Sequence, residues 1–241
     1  MPDRLRLWSH RGPRALVRAL LPSCCALCGM IGDDVVCPAC HRAYVMSRAR
    51  CPCCANPVDA PDSRCGACLA IEPAFDATVA ACDYAAPLDQ LVLQLKFGAR
   101  LALAPWCARM LRDALLAHPA LPLPDVLCAV PLGPRRLVER GFNQALEVAK
   151  PLAASLGIAL QPRLAMRTLE TAAQSGVAPA ERQRNIAGAF AVDHGAPHGL
   201  HVGVVDDVMT SGHTLNELAA TLKRAGAARV TNLVFARTPP H

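Results

Sequence analysis

From residue 78 onward, short apolar runs alternate with stretches whose apolar residues recur at helical spacing. The pattern predicts a strand over 78–84 and a helix over 87–97, where Leu88, Leu91, Val92 and Leu95 share one face. Pro87 suits the first turn of that helix and Gly98 its stop. A second helix is predicted over about 102–116, followed by a proline-rich stretch, 119–124, and a strand over 126–131. Leu132-Gly133-Pro134-Arg135-Arg136 then reads as a loop, and Arg140-Gly141-Phe142-Asn143-Gln144 leads into a helix reaching about residue 155. Small residues dominate 169–179 between two basic clusters, a composition that suits a mobile loop. The chain closes with a strand running into Val204-Val205, a helix over 215–225 with Leu215, Leu218, Ala219 and Leu222 at helical spacing, and a strand over 230–236.

The junction before that last helix carries the strongest chemical signal. Val204-Val205 runs into Asp206-Asp207, and Val208-Met209 leads to Thr210-Ser211-Gly212-His213-Thr214. A buried parallel strand delivers its C-terminal end to the surface of an α/β sheet, where ligands bind. The loop offers backbone N–H groups, hydroxyls and the positive end of the next helix, which together cradle a phosphate. Gly212 lets the backbone approach the anion closely. Two carboxylates repel a phosphate, so Asp206 and Asp207 suit sugar hydroxyls or a cation such as Mg²⁺. The combination points to a ribose 5-phosphate; the plain alternative is a βα turn with an acidic edge. Arg135 and Arg136, after the 126–131 strand, read either as an anion site or as a basic surface turn.

Thirteen cysteines in 241 residues change the picture of the first third. Cys25-x2-Cys28 and Cys37-x2-Cys40 are followed by Cys51-x2-Cys54 and Cys65-x2-Cys68, two internal repeats over 24–70. Each C-x2-C turn aims two thiolates at one tetrahedral metal, and two turns close a Zn(Cys)₄ site. A closed site leaves no position for substrate, so such zinc is structural, and a short segment with little core draws folding energy from it. A disulfide framework is the alternative, but the rest of the chain reads as cytosolic, where thiols stay reduced. Cys24 and Cys53 fall outside the count, and Gly29 and Gly66 suit tight turns beside the pairs. The formal charge of +6 would drop to about +2 with two zinc sites, so net charge is weak evidence for nucleic-acid binding.

Residues 1–23 mix Arg4, Arg6, Arg11, Arg14 and Arg18 with leucines, as a basic amphipathic helix would. Arg14 and Arg18 interrupt the apolar run, which argues against a signal peptide. No run approaches the ~18 apolar residues of a transmembrane helix, and no G-x4-G-K-[ST] phosphate loop occurs. Residues 69–77 read as a linker to the domain over 78–241.

The cysteine head, Lys96-Phe97 after Tyr84-Ala-Ala-Pro, Val130-Pro131, Arg140-Gly-Phe-Asn-Gln144 and Val205-Asp-Asp-Val-Met-Thr-Ser-Gly-His-Thr214 together resemble the ComF family. Arg167-Thr168, Gln174, Arg182, Asn185 and Ala189-Phe190 extend the likeness. The resemblance implies a type I phosphoribosyltransferase fold, α/β with a mainly parallel sheet flanked by helices, behind a small double zinc ribbon. It implies binding of 5-phosphoribosyl 1-pyrophosphate (PRPP) with Mg²⁺. Asp206 and Asp207 would hold the ribose and stabilise an oxocarbenium-like transition state, and Thr210, Ser211, Gly212, His213 and Thr214 would hold the 5-phosphate. Arg135, Arg136, Arg182 and Arg184 are the candidates for the pyrophosphate side. The family association is with DNA uptake in natural transformation, in the cytoplasm, near a competence helicase and single-stranded DNA. A phosphoribosyltransferase with an unknown acceptor and no competence role, and a non-catalytic PRPP sensor or DNA-binding adaptor, fit the same residues. No acceptor-base pocket is evident in the sequence.

Overall fold

A computed structural model describes residues 23–168, 188–192 and 197–239. The predicted N-terminal helix, the loop over 169–179 and Gln174, Arg182, Arg184 and Asn185 lie outside the described residues. The chain divides into two compact units, Met1–Met46 and Ser47–His241. The two cysteine quartets, grouped by spacing over 24–70, therefore fall into different units.

In the smaller unit, β1 (Ser23–Cys24) pairs antiparallel with β2 (Ile31–Gly32), and α1 (Pro38–Tyr44) follows. Cys37 is the N-cap of α1, and its sulfur accepts from the Cys40 N–H at 3.5 Å. Pro38 fills the first helical turn, where a missing N–H costs nothing.

The larger unit begins with the second cysteine segment and its helix α2 (Gly66–Ala70). Its centre is a five-stranded, wholly parallel sheet in the order β3-β9-β8-β4-β5. These strands are β3 (Ala77–Asp83), β4 (Val126–Ala129), β5 (Ala159–Leu160), β8 (His201–Met209) and β9 (Arg229–Arg237). β6 (Ala165–Arg167) and β7 (Phe190–Val192) form a separate antiparallel pair. Helices α3 (Leu88–Phe97), α4 (Ala104–Leu116), α5 (Pro134–Arg140), α6 (Gln144–Leu156) and α7 (His213–Arg224) connect the strands. α4 packs on β3 and β9, and α6 on β4 and β8. Trp106 of α4 meets Phe235 of β9 edge to face, with centroids 5.7 Å apart. Leu215, Leu218 and Leu222 of α7 are fully buried, each worth about 2 kcal/mol of transfer free energy.

Three segments differ from their sequence-based expectation. Residues 69–77 are packed rather than a free linker: α2 runs to Ala70, Phe75 is buried in the core and β3 begins at Ala77. Leu132 to Arg136 is not all loop, because α5 starts at Pro134. Proline pre-sets the first turn, and Arg135 pairs with Glu139 one turn on, 2.8 Å apart. Likewise, the acid pair lies inside β8 rather than beyond it. Pairing with β9 continues as far as Met209 opposite Arg237 and holds both aspartates in strand geometry.

β4 leads through α6 to β5 on one side, whereas β8 leads through α7 to β9 on the other. The C-terminal ends of β4 and β8 thus flank a topological switch point, where open α/β sheets form their ligand crevice.

Candidate functional site

At the switch point a cleft of about 280 Å³ opens. It is lined by Asp206, Asp207, Thr210 and Thr214, by Arg136 and Arg140 from α5, by Arg167 from β6 and by Lys96 from α3. Asp206 Oδ1 accepts from the Asp207 N–H at 2.9 Å, and Asp207 Oδ1 from the Val208 N–H at 2.8 Å. The Lys96 ammonium stands 3.0 Å from Asp207 Oδ2, which has no aligned hydrogen bond of its own. Burial and then the neighbouring Asp207 charge push the Asp206 carboxyl well above the usual carboxylate range. Two acids and four bases line the described cleft, so it favours an anionic ligand with one region that accepts hydrogen bonds.

The turn after β8 supplies the rest. Gly212 is the N-cap of α7 at φ +82°, and a β-carbon there would come within 2.5 Å of the Met209 methyl. Glycine takes this left-handed backbone without the strain that a β-carbon adds, and a larger residue would also have to displace the end of the Met209 side chain. Thr210 and Ser211 are exposed, and α7 runs 12 residues behind them, its positive end toward the turn. Ser211, Gly212 and His213 build the turn without lining the cleft wall. Among the arginine candidates, Arg136 lines the cleft; Arg135 does not, being engaged with Glu139 on the exposed face.

Other side chains position these groups. Asn143 caps α6, accepting from the Ala145 N–H at 3.0 Å, while its amide donates to the Val130 carbonyl at 2.9 Å. It thereby fixes the end of β4 beside the cleft. Arg140 donates to Gln144 at 2.9 Å and lies 5.0 Å over the ring of Phe97, itself 71% exposed. Burial lowers the pKa of both Arg140 and Arg167, with Asp207 and Asp206 respectively opposing the shift. Arg237, at the end of β9, donates to the carbonyls of Cys54 (2.9 Å), Met209 (3.0 Å), Thr210 and Thr238 (2.7 Å). Lys96, Arg140 and Arg167 were visible in the sequence only as parts of the family pattern, and Arg237 carried no signal beyond its place at a strand end.

The cysteines gather as two quartets, Cys25, Cys28, Cys37 and Cys40, and Cys51, Cys54, Cys65 and Cys68, with sulfurs all within 4.8 Å of one another in each. Cys53 and Cys24 belong to neither quartet; Cys53 is buried and Cys24 exposed. The Cys37 N–H points at Cys25 Sγ and the Cys65 N–H at Cys51 Sγ, both at 3.4 Å. Burial opposes ionisation of Cys25, yet N–H donors from Cys37, Cys28 and Leu27 hold its pKa down at about 6. Burial and neighbouring thiols push Cys40 up to about 12. Four sulfurs so close cannot all ionise unless a cation joins them, so each donor set fits a tetrahedral Zn²⁺.

The DNA utilization protein YhgH of Escherichia coli (strain K12) is 36% identical over 224 residues, 90% of this chain and 98% of its own length. The chain belongs to the ComF family. The Salmonella typhi protein of the same name is 41% identical over 169 residues, 69% of this chain and 74% of its own. Competence protein F of Haemophilus influenzae is 33% identical over 165 residues, 66% and 72% of the two chains. No family model matches the chain. The ComF chain is also similar to solved phosphoribosyltransferases. One is the purine phosphoribosyltransferase of Pyrococcus horikoshii, at 20% identity and a TM-score of 0.33 over 54% of this chain and 70% of that one. Another is the glutamine PRPP amidotransferase of Bacillus subtilis, at 18% and 0.37 over 54% and 25%. Among the described residues no helix is long and apolar enough to cross a membrane.

Proposed function

We propose that the cleft binds PRPP with Mg²⁺, and that this ComF protein puts it to use in DNA utilization or uptake, the roles for which its relatives are named. The observation that carries the reading is the meeting in one cleft of the acid pair, Thr210 and Thr214 of the Gly212 turn, and the cations Lys96, Arg136, Arg140 and Arg167. Asp206 and Asp207 accept from the ribose hydroxyls. The N–H groups and hydroxyls of 210–214 anchor the 5-phosphate, so binding energy remote from C1 orients the reacting end. The cations of α5 and β6 face the pyrophosphate, with Arg182 and Arg184 as further candidates on that side. If pyrophosphate leaves, the two carboxylates stabilise the positive charge that grows on the ring. Each cysteine quartet holds one structural zinc, and a PRPP ligand implies the cytoplasm as the place of work.

Calorimetry of PRPP with Mg²⁺ on the wild-type chain and on Asp206→Asn/Asp207→Asn tests the reading. Saturable binding by the wild type and at least ~100-fold weaker binding by the double variant are expected, since both sugar contacts go. No wild-type binding sinks it. A pyrophosphate-release screen across nucleobases then separates a transferase from a PRPP sensor.

Exposed Phe97, stacked under Arg140 beside the cleft, supports a second reading in which single-stranded DNA stacks at the mouth. Single-strand affinity that does not fall between two salt concentrations, or that survives Phe97→Ala intact, would exclude it.

A further inference from the structure

Arg237 is 6% exposed, and its guanidinium joins two regions far apart in sequence. Its Nε donates to the carbonyl of Cys54, a member of the second cysteine quartet. Its Nη1 donates to the carbonyls of Met209 and Thr210, where the strand turns into the Gly212 loop. Met209 O accepts a second bond from the Thr238 N–H at 3.0 Å. A second link runs in parallel: the Ala74 N–H, just past the quartet, donates at 2.7 Å to Asn216 Oδ1 in the first turn of α7. Cys51, Cys54 and Cys68 also share one packed cluster with Met209 and Leu215. A buried guanidinium needs its carbonyl partners, because desolvated donors left unpaired are costly. The carbonyl of Cys54 keeps its place only while the Cys51–Cys54 turn keeps its shape, and a tetrahedral metal imposes that shape on the turn.

We propose that Arg237 is a positioning residue that ties the second quartet to the phosphate loop, so that the loop takes its anion-binding form only while Cys51, Cys54, Cys65 and Cys68 close on their metal. The ligand in this statement rests on the PRPP reading above; the mechanical link does not.

Three full-length proteins test it: wild type, Arg237→Lys and Cys65→Ser. Lysine keeps the buried charge but cannot span three carbonyls. Arg237→Lys is expected to keep the wild-type metal content, bind PRPP with Mg²⁺ about tenfold more weakly, the cost of one or two bonds, and exchange amide hydrogens faster over 209–214. Cys65→Ser is expected to lose one metal equivalent and show the same loop exchange. Wild-type affinity and wild-type exchange in Arg237→Lys overturn the proposal, whatever becomes of Cys65→Ser. So does a folded Cys65→Ser that has lost its metal and keeps a protected loop. If wild type itself fails to bind PRPP, the ligand assignment falls, and the exchange pattern alone decides the link.

Discussion

Cys40 and Cys68 close the two quartets from matching positions, each on a short helix whose N-cap is the preceding cysteine, and are 7% and 6% exposed. Cys25-x2-Cys28 and Cys51-x2-Cys54 turn alike as well: the Gly29 N–H donates to Cys25 O at 3.0 Å and the Ala55 N–H to Cys51 O at 2.8 Å. The surroundings differ. The first quartet lies in a small unit with two-residue strands. In the second, Cys51, Cys54 and Cys68 belong to a core cluster of the larger unit that also holds Phe75, Val126, Val204 and Leu218, and Cys65 packs against it. Its turn also covers β3, an edge strand: the Thr78 N–H donates to Pro52 O at 3.2 Å, and Arg50 bonds both Asp83 (2.8 Å) and the Ala55 carbonyl (3.1 Å). One local four-cysteine design thus serves as the fold of a small module in one place, and in the other as a wall of the larger unit that covers the edge of its sheet.

The sharpest way to break this contrast is to remove one ligand from each quartet. Cys68→Ser should cost the larger unit several kcal/mol, toward the ~10 kcal/mol that structural zinc supplies to metal-dependent domains. Cys40→Ser should release its metal with the main thermal transition unmoved. Equal shifts in calorimetry would erase the distinction. Arg50→Ala comes next: loss of its two partners should lower the larger unit's stability by about 2 kcal/mol and speed metal release from the second quartet only, as a chelator assay would record.

Asp206 probes the contrast from a distance. Its carboxyl titrates higher folded than unfolded, so the stability it contributes is full below the unfolded pKa of about 3.9 and is lost as pH rises through the folded value. Asp206→Asn should therefore stabilise the larger unit at pH 7 by roughly 1 kcal/mol, with no gain below about pH 4. Metal release should slow at the second quartet and stay unchanged at the first; a denaturant series at the two pH values reads the sign. The smallest effects separate the turns themselves. Gly29 at φ +74° and Ala55 at φ +57° share the left-handed conformation. Gly29→Ala should cost the small unit about 1 kcal/mol. Ala55→Gly should come out within about 1 kcal/mol of neutral, because relief of strain is offset by a lost buried methyl and a freer unfolded chain.

Much of this was legible along the chain. Both quartets followed from C-x2-C spacing, since ligands that share one ion must recur at the turn's own repeat. The Asp206 to Thr214 stretch was legible because strand, acids and turn are contiguous, and the helices announced themselves through faces such as Leu88, Leu91, Val92 and Leu95. Lys96 against Asp207, Asn143 against Val130 and Arg237 against Cys54 were not legible as pairs. Each joins a lone side chain to a residue on another element, and no local pattern encodes a partner brought near by sheet order. Arg135 and Arg136 show the limit within two residues: composition made them equal, while the helical turn begun at Pro134 aimed one at the cleft and the other at Glu139.

The sequence by itself determined the local chemistry: two sets of four thiols at metal-ligand spacing, an acid pair ahead of a glycine turn, and alternating strands and helices. Those features depend on residues within a turn or two of each other. Tertiary structure alone decided that the second quartet belongs to the core of the larger unit rather than to a separate head, and that β4 and β8 stand side by side. The order β3-β9-β8-β4-β5 is a property of long-range pairing. It gathers the acids, Thr210 and Thr214 of the Gly212 turn and four cations into one cleft, and it carries Arg237 to a place from which its guanidinium reaches both a cysteine turn and the end of β8.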